Sequence, residues 1–471
     1  MGVRFTVYGV PVHRKRYTVH ETMIGQTRLL TELARLMKRT RADGVSVSAQ
    51  ATTRRVLRFA DGRIHQDLAQ ERVTITVKVI RDGRVGVASA ETLVPEGLRR
   101  CVRAALEIAC HSPQPRQLPP LPRGSRLRTR RDYAPATART TAAACVAAIA
   151  RLIQYSRGLG VELAGSFVIG EDELAVANSA GTACYAASTL TGAKLVTFYG
   201  RLSGFSSGVS HDLARLDLSE LLRRSLRQSH HRREPVEVPL GEYEVILEPQ
   251  AVADLLEWLG GIAFGAKSVE EHTSCLAGRM GERLMHPDLT IYDDGTEAGM
   301  LRAPFDFEGV PKQHVVLIDR GRAAGIVYDT TYGERFGQPS TGHALPPDET
   351  EGPLPLHLGI VPGDRPVDEL IRGCRRGLLI PRFHYVNGLL HPPSALMTGL
   401  TREGACLIEE GAVTRPVQTL RFTQSILEAF QDVAGISRER RLVADPSTSI
   451  GCCLVPALHL KRFRFTGRST A

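Results

Sequence analysis

Apolar residues recur at helical spacing through Leu29, Leu30, Leu33, Leu36 and Met37, and the run stops before Asp43-Gly44. That pattern predicts a helix from about residue 24. A strand-rich stretch is expected next, over 45–49, 56–59, 73–80 and 85–90, with Asp61-Gly62 and Asp82-Gly83 beside these runs as hairpin-type turns. Within 73–79 the odd positions are apolar and the even ones polar, so this strand buries one face only. Helices are expected over about 96–110, 136–155 and 218–230, and strands over 166–169, 173–178 and 193–199. Pro235 and Pro239 mark a boundary. Beyond Tyr243 the pattern becomes strands between Gly and Pro turns, with one clear helix near 252–264 and a second Pro-rich loop over 345–366. No internal repeat is visible.

The 471 residues exceed what one compact core organises, so several domains are expected. The boundaries place an irregular extension at 1–23, an N-terminal α/β domain at 24–111, and a Pro- and Arg-rich linker at 112–135. A central α/β domain follows at 136–234 and a β-rich domain at 235–471. With 42% hydrophobic and 23% charged residues, the composition is that of an ordinary globular protein. The longest charge-free stretch, 174–193, is too polar for a membrane span, which needs about 18 mostly apolar residues. No apolar run follows the basic N-terminus as in a signal peptide, so a cytoplasmic location without membrane contact is expected.

The net charge of +10 raises the question of nucleic acid. Two runs supply much of it: Arg123, Arg126, Arg128, Arg130 and Arg131, then Arg223, Arg224, Arg227, Arg232 and Arg233. Only seven of the 60 basic residues are lysine, and no aromatic residues interleave with either run as a base-stacking platform requires. A solvated linker and a solvated helix face are the expectation, with no nucleic-acid partner. The nine cysteines contain no C-x-x-C spacing, and the vicinal Cys452-Cys453 is their only cluster, so reduced and mostly buried thiols are expected.

Chemistry-bearing motifs are few. Gly204-Phe-Ser206-Ser-Gly208 matches a serine-hydrolase elbow formally, but no helix follows at once, and a flexible Gly/Ser loop is expected. Lys267 in Gly265-Ala-Lys-Ser268 follows no glycine and lies at a helix end, which is unsuited to phosphate. A hydrolytic zinc helix needs two histidines on one face and a glutamate, and no paired-histidine helix exists. His272, His343, His384 and His459 are expected as hydrogen-bonded structural residues.

Several segments, in consistent order, resemble the TldD/PmbA, or gyrase-modulator, metallopeptidase family. They are Arg58-Phe-Ala-Asp-Gly-Arg63-Ile-His65-Gln, Val73-Thr-Ile-Thr-Val, Asp82-Gly-Arg-Val-Gly-Val-Ala88 and Ala175-Val-Ala-Asn178-Ser-Ala-Gly181. Further on come Gly241-Glu-Tyr-Glu-Val-Ile-Leu-Glu-Pro249-Gln-Ala-Val252, Pro304-Phe-Asp306-Phe-Glu308-Gly-Val310 and Ser340-Thr-Gly342-His343-Ala344. Leu396-Met-Thr398-Gly-Leu-Thr-Arg402 and Leu420-Arg421-Phe-Thr-Gln-Ser425 close the series.

The resemblance implies an α+β fold with a mixed α/β N-terminal half and a β-rich C-terminal half. It also implies two kinds of subunit: TldD-type chains with an H-E-x-x-x-H helix and a C-terminal cysteine that hold zinc, and PmbA or TldE-type chains without that helix motif. At the corresponding helix Glu257 stands for the first histidine, Trp258 for the glutamate and Ile262 for the second histidine. Cys452 or Cys453 falls roughly where catalytic members place their cysteine. No catalytic residue and no bound metal are therefore expected in this chain, with Cys452 and Cys453 as fallback ligands and zinc in a partner subunit. The implied role is that of a non-catalytic subunit, in a hetero-oligomer with a TldD-type chain or as a homodimer, acting on unfolded or extended peptides. The alternatives are a self-sufficient peptidase with atypical ligands and a gyrase- or DNA-associated binding protein.

Overall fold

The computed structural model describes every residue except 1–22, 116, 119, 131, 230–233, 448–450 and 469–471. The expected extension at 1–23 thus falls almost wholly outside the described residues, as do Arg131, Arg232 and Arg233. Among the described residues, no helix is long and apolar enough to cross a membrane.

Gly44–Ala60 and Arg63–Arg81 form a long antiparallel hairpin, and Arg84–Ala90 adds the next strand. The turns between them hold Asp61 and Gly62 at φ 50° and 68°, and Asp82 and Gly83 at φ 51° and 69°. Two successive positive φ values match the right-handed strand twist, which is why Asp-Gly sits there. The hairpin is longer than its apolar alternation suggested, because its distal half is polar and paired. Arg55 there bonds Asp67 across the strands at 2.5 Å.

Gly44–Ala60 also pairs antiparallel with Glu162–Asn178, from Ser46↔Asn178 to Phe59↔Gly165 with no register shift. With Ala183–Tyr199 and Leu202–Ser210 this makes one seven-stranded sheet. The segments 24–111 and 136–234, expected as separate domains, therefore share a sheet. The bridging segment contributes too: Arg128–Thr129 pairs parallel with Tyr185 and Ala186.

Odd-numbered residues such as Val47, Ala49, Leu57, Phe59, Phe167 and Ala175 face four helices, Gln26–Arg39, Pro95–His111, Ala142–Gly158 and Leu218–Ser229. The first of these starts at Gly25, which has no side chain to cap it. Buried Glu173 supplies the cap from the sheet, accepting the N–H groups of Ile24 and Gly25 at 2.7 and 2.8 Å. The helix expected over 136–155 is two: Pro135–Ala138, then Ala142–Gly158 with Thr141 capping the Ala144 N–H.

Even-numbered residues of the strands Glu162–Asn178 and Ala183–Tyr199 face the C-terminal half. Leu190 packs with Tyr292, Leu301, Cys452 and Leu454, and Val176 and Cys184 pack with Phe305. That half is a thirteen-stranded sheet built around the strand Cys452–Arg468. This strand pairs with Gly241–Leu247, Val433–Val443, Leu420–Ser425 and, in parallel, His357–Ile360. The helix Pro249–Ala263 buries Val252, Leu255, Leu256, Leu259 and Ile262 in the largest core.

Two expectations need correction. Residues 204–208 are not a loop but lie within the strand Leu202–Ser210. Its glycines let the helix Leu218–Ser229 approach: a Cβ on Gly204 would lie 1.9 Å from the Ser225 carbonyl oxygen. The Ser206 hydroxyl donates to the Leu221 carbonyl at 2.6 Å, so it is packed and not exposed as a nucleophile. The Pro-rich stretch 345–366 likewise contains the fully buried strand His357–Ile360.

Candidate functional site

The helix Pro249–Ala263 opens on Pro249, a residue suited to a first turn because its missing N–H has no partner to lose. One stripe is core. The other side presents Gln250, Asp254, Glu257 and Trp258 to a cleft of about 530 Å³. The opposing walls come from both halves: Lys194, Phe205 and Ser207 from the N-terminal sheet, 382–386 from a C-terminal strand, and Val443 to Asp445.

Asp254 ties these walls together. Its Oδ1 accepts Gln250 Nε2 at 2.9 Å, its Oδ2 accepts the Phe383 N–H at 2.7 Å, and Gln250 Oε1 accepts the Ser207 hydroxyl at 2.8 Å. Burial pushes the Asp254 carboxyl up to about 6, and its two hydrogen bonds and Arg382 restrain the rise.

Glu257 stands one turn further along, wetted by the cleft yet walled by protein, with no hydrogen-bond or ion-pair partner among the described residues. Loss of bulk solvation, then the Asp254 and Asp445 carboxylates, push it up to about 7 against the pull of Lys194. Trp258 is half-buried against Gly388, where a Cβ would lie 2.9 Å from the indole. Ile262 is core. The three motif positions thus give one carboxylate in the cleft, one indole on its wall and one aliphatic group outside it.

Cys452 and Cys453 lie inside the C-terminal strand, in parallel register with His357 and Leu358. Their side chains alternate across the sheet: Cys453 joins the core under the helix and Cys452 the seam with the N-terminal sheet. They therefore do not converge on one point. Burial raises both thiols, Cys452 to about 12, and Glu257 adds to the rise at Cys453. Among the described residues, one group of three potential ligands comes together, Glu244, Cys374 and His459. Glu257, Cys452 and Cys453 do not form such a group.

The remaining histidines have distinct settings. His343 bonds Asp293 at 2.7 Å and Thr341 at 2.9 Å, both from its ring nitrogens. His384 lines the cleft and accepts from Arg382 at 3.0 Å, and His272 adopts φ 56°.

A second cavity, about 420 Å³, opens where the even-numbered sheet face meets the C-terminal half. Beside it Asp293 takes the His343 ring at Oδ1 and the His357 N–H at Oδ2, with buried Lys312 at 4.0 Å. Burial opposes the charge of Asp293, but Lys312, His343 and His357 outweigh it and hold the carboxyl below the usual range. Asp306 accepts the N–H groups of Glu308, Val310 and Ala344, each at 2.9 Å. It thereby joins 304–310 to 340–344, two segments quoted for the family resemblance.

Two residues were within reach of the sequence and missed. Asp254 sits three residues before Glu257, a spacing that puts both acids on one helical face. Asp306 lay inside a quoted segment. Asp293, Lys312 and His357 have no local signal; only folding gathers them.

A family model described as the PmbA/TldA metallopeptidase C-terminal domain matches residues 240–467, and one described as PmbA/TldA metallopeptidase domain 1 matches residues 45–109. A "Metalloprotease" of Methanothermobacter thermautotrophicus is 25% identical over 251 residues, 52% of this chain and 53% of the relative. A "Metalloprotease TldD homolog" of Haemophilus influenzae is 28% identical over 234 residues, 49% and 47% of the two chains. The chain thus spans about half the length of these relatives. The crystal structure of TldE from Thermococcus kodakarensis superimposes with a TM-score of 0.83 at 20% identity, over 93% of this chain and 100% of that one. At that identity the match speaks for the fold.

Proposed function

The chain belongs to the PmbA/TldD metallopeptidase family, and from that starting point we propose that it is a TldE-like, non-catalytic subunit of a zinc peptidase whose metal is held by a TldD-type partner. The observation that carries this reading is the helix Pro249–Ala263. It keeps its buried stripe and its cleft, while its three motif positions carry Glu257, Trp258 and Ile262. Zinc does not fit there. A hydrolytic site needs about three converging protein ligands, and Glu257 belongs to no group of three potential ligands among the described residues.

The cleft is suited to holding chain. Its wall at 382–386 belongs to the strand Arg382–His391, which among the described residues pairs on one side only, with Leu396–Arg402. An edge strand offers backbone donors and acceptors to an extended peptide regardless of its side chains. This fits an unfolded or flexible substrate, presented by this subunit and cut by its partner.

The test is reconstitution. The purified chain, a TldD-type chain with an intact H-E-x-x-x-H helix, and their mixture are each incubated with an unfolded polypeptide. Cleavage by the mixture that exceeds either chain alone supports the subunit role, provided the purified chain by itself is inert. Turnover by the purified chain alone overturns it.

A further inference from the structure

On the face of the C-terminal sheet away from the cleft, three side chains of different chemistry meet. Gly241–Leu247 turns Val245 and Leu247 toward the helix Pro249–Ala263, which leaves Glu244 and Ile246 on the far side. Cys452–Arg468 turns Leu458 and Leu460 toward the same helix, which leaves His459 on the far side next to Glu244. Cys374 closes the group from the end of the helix Val367–Gly373, packed with Leu370 and Ile408.

His459 Nε2 is 2.6 Å from Glu244 Oε1, and the ligand atoms of Glu244, Cys374 and His459 all lie within 4.8 Å of one another. Room for the sulfur is built into the sheet. Gly377, the register partner of Glu244, carries no side chain, and a Cβ there would sit 2.6 Å from Cys374 Sγ.

We propose that Glu244, Cys374 and His459 form a site for a divalent cation of the zinc type, separate from the family's motif helix. Carboxylate, thiolate and imidazole are the three side-chain ligand types zinc accepts, and tetrahedral coordination separates its ligand atoms by about 3.2–3.8 Å. The imidazole–carboxylate pair is closer than that and no ligand-atom separation exceeds 4.8 Å, so small side-chain adjustments suffice. Charge balance favours the ion. One carboxylate, one thiolate and one neutral imidazole around a dication sum to zero, which suits a group with Cys374 and His459 buried.

Glu244 keeps 29% of its side chain exposed, enough for ion entry and for water as a fourth ligand. The arrangement is not that of a thiol protease. Burial and the Glu244 carboxylate push the Cys374 thiol up, whereas a nucleophilic thiol needs a lowered pKa. The site departs from the expectation of a metal-free chain and gives His459 and Cys374 a role that no local spacing signals. It does not rest on the subunit reading, since it leaves Glu257 and the cleft untouched.

The test uses the full chain stripped of metal and titrated with zinc against a chromophoric chelator, and in parallel with cobalt(II). The expected result is one ion per chain and a thiolate-to-cobalt charge-transfer band. Burial and Glu244 push the free thiol up to about 12, so binding displaces its proton. Zinc affinity should therefore rise about tenfold per pH unit. Cys374→Ser and His459→Gln should each weaken binding by about 100-fold or more, since even outer-shell changes cost 10–100-fold. Cys452→Ser and Cys453→Ser should leave it unchanged. Failure of the unmodified chain to bind zinc, absence of the thiolate band, or loss of binding in the Cys452 or Cys453 variants would each overturn the proposal. The cobalt spectrum of the unmodified chain decides the matter even if a variant does not fold. None of these outcomes bears on whether the lone chain cleaves peptide.

Discussion

Lys194 and Asp445 form an ion pair at 2.7 Å that bridges the N-terminal sheet and the segment entering the C-terminal strand, on the wall of the cleft that faces Glu257. One cation thus acts on two acids with opposite tendencies. Asp445 is stabilised as an anion, whereas Glu257 is pushed toward its neutral form.

Replacing Lys194 with alanine should destabilise the protein by at most about 1 kcal/mol, because both partners are well exposed to solvent. Burial opposes the charge of Asp445, but Lys194 and Ser447 depress its pKa below 3.8, so its contribution is present above that pH and lost as pH falls through the depressed value. Thermal midpoints of the unmodified and K194A proteins should differ at pH 7 and converge in acid. A gap that persists in acid would contradict the assignment.

Glu257→Gln should act in the other direction. The folded pKa of about 7 lies above the usual 4.5, so Glu257 stabilises the fold fully below pH 4.5 and that contribution is lost as pH rises through 7. The variant should match the parent in acid and exceed it at pH 8. Its exposure within the cleft limits the gain to about 1 kcal/mol, or about 1–2 °C in midpoint.

Gly204→Ala should cost about 1–3 kcal/mol, since the methyl group would enter the Ser225 carbonyl and force the helix Leu218–Ser229 off the sheet. Urea denaturation measures this directly. A neutral outcome would mean that the helix is free to move away.

Duplex DNA should bind this chain no more tightly than about 10⁻⁴ M at physiological salt, the weak end of non-specific association. Arg223, Arg224 and Arg227 all lie against Glu220 on one helix, and Arg130 stacks on Tyr133 at 4.2 Å. These arginines are already engaged. A steep fall of affinity with salt, lessened by removing charge from Arg126, Arg128 and Arg130, would reverse this view.

Much of the architecture could be foreseen where the determinants are local. The Asp-Gly turns, the apolar stripe of the helix Pro249–Ala263 and the replaced motif at Glu257, Trp258 and Ile262 are each written within a few consecutive residues. The pairing of Ser46 with Asn178 could not be foreseen, since nothing along the chain selects one strand as partner to another more than a hundred residues away. The Gly/Ser strand at 202–210 misled for a different reason: its glycines serve close helix packing, and composition alone suggests a loop. Glu244, Cys374 and His459 were invisible because long stretches of chain separate them, and only strand register and the end of the helix Val367–Gly373 bring them together.

Laced together from Ser46 to Phe59, the early and middle parts of the polypeptide are clasped by backbone bonds that no single peptide bond between residues 112 and 135 maintains. A protease that nicks that bridge would leave both pieces docked, eluting as one body until denaturant parts them. Ahead of the contacts that Pro122 and Arg128–Thr129 make with the sheet, the bridge is accordingly a place where the chain should tolerate being cut, lengthened or interrupted by a guest sequence.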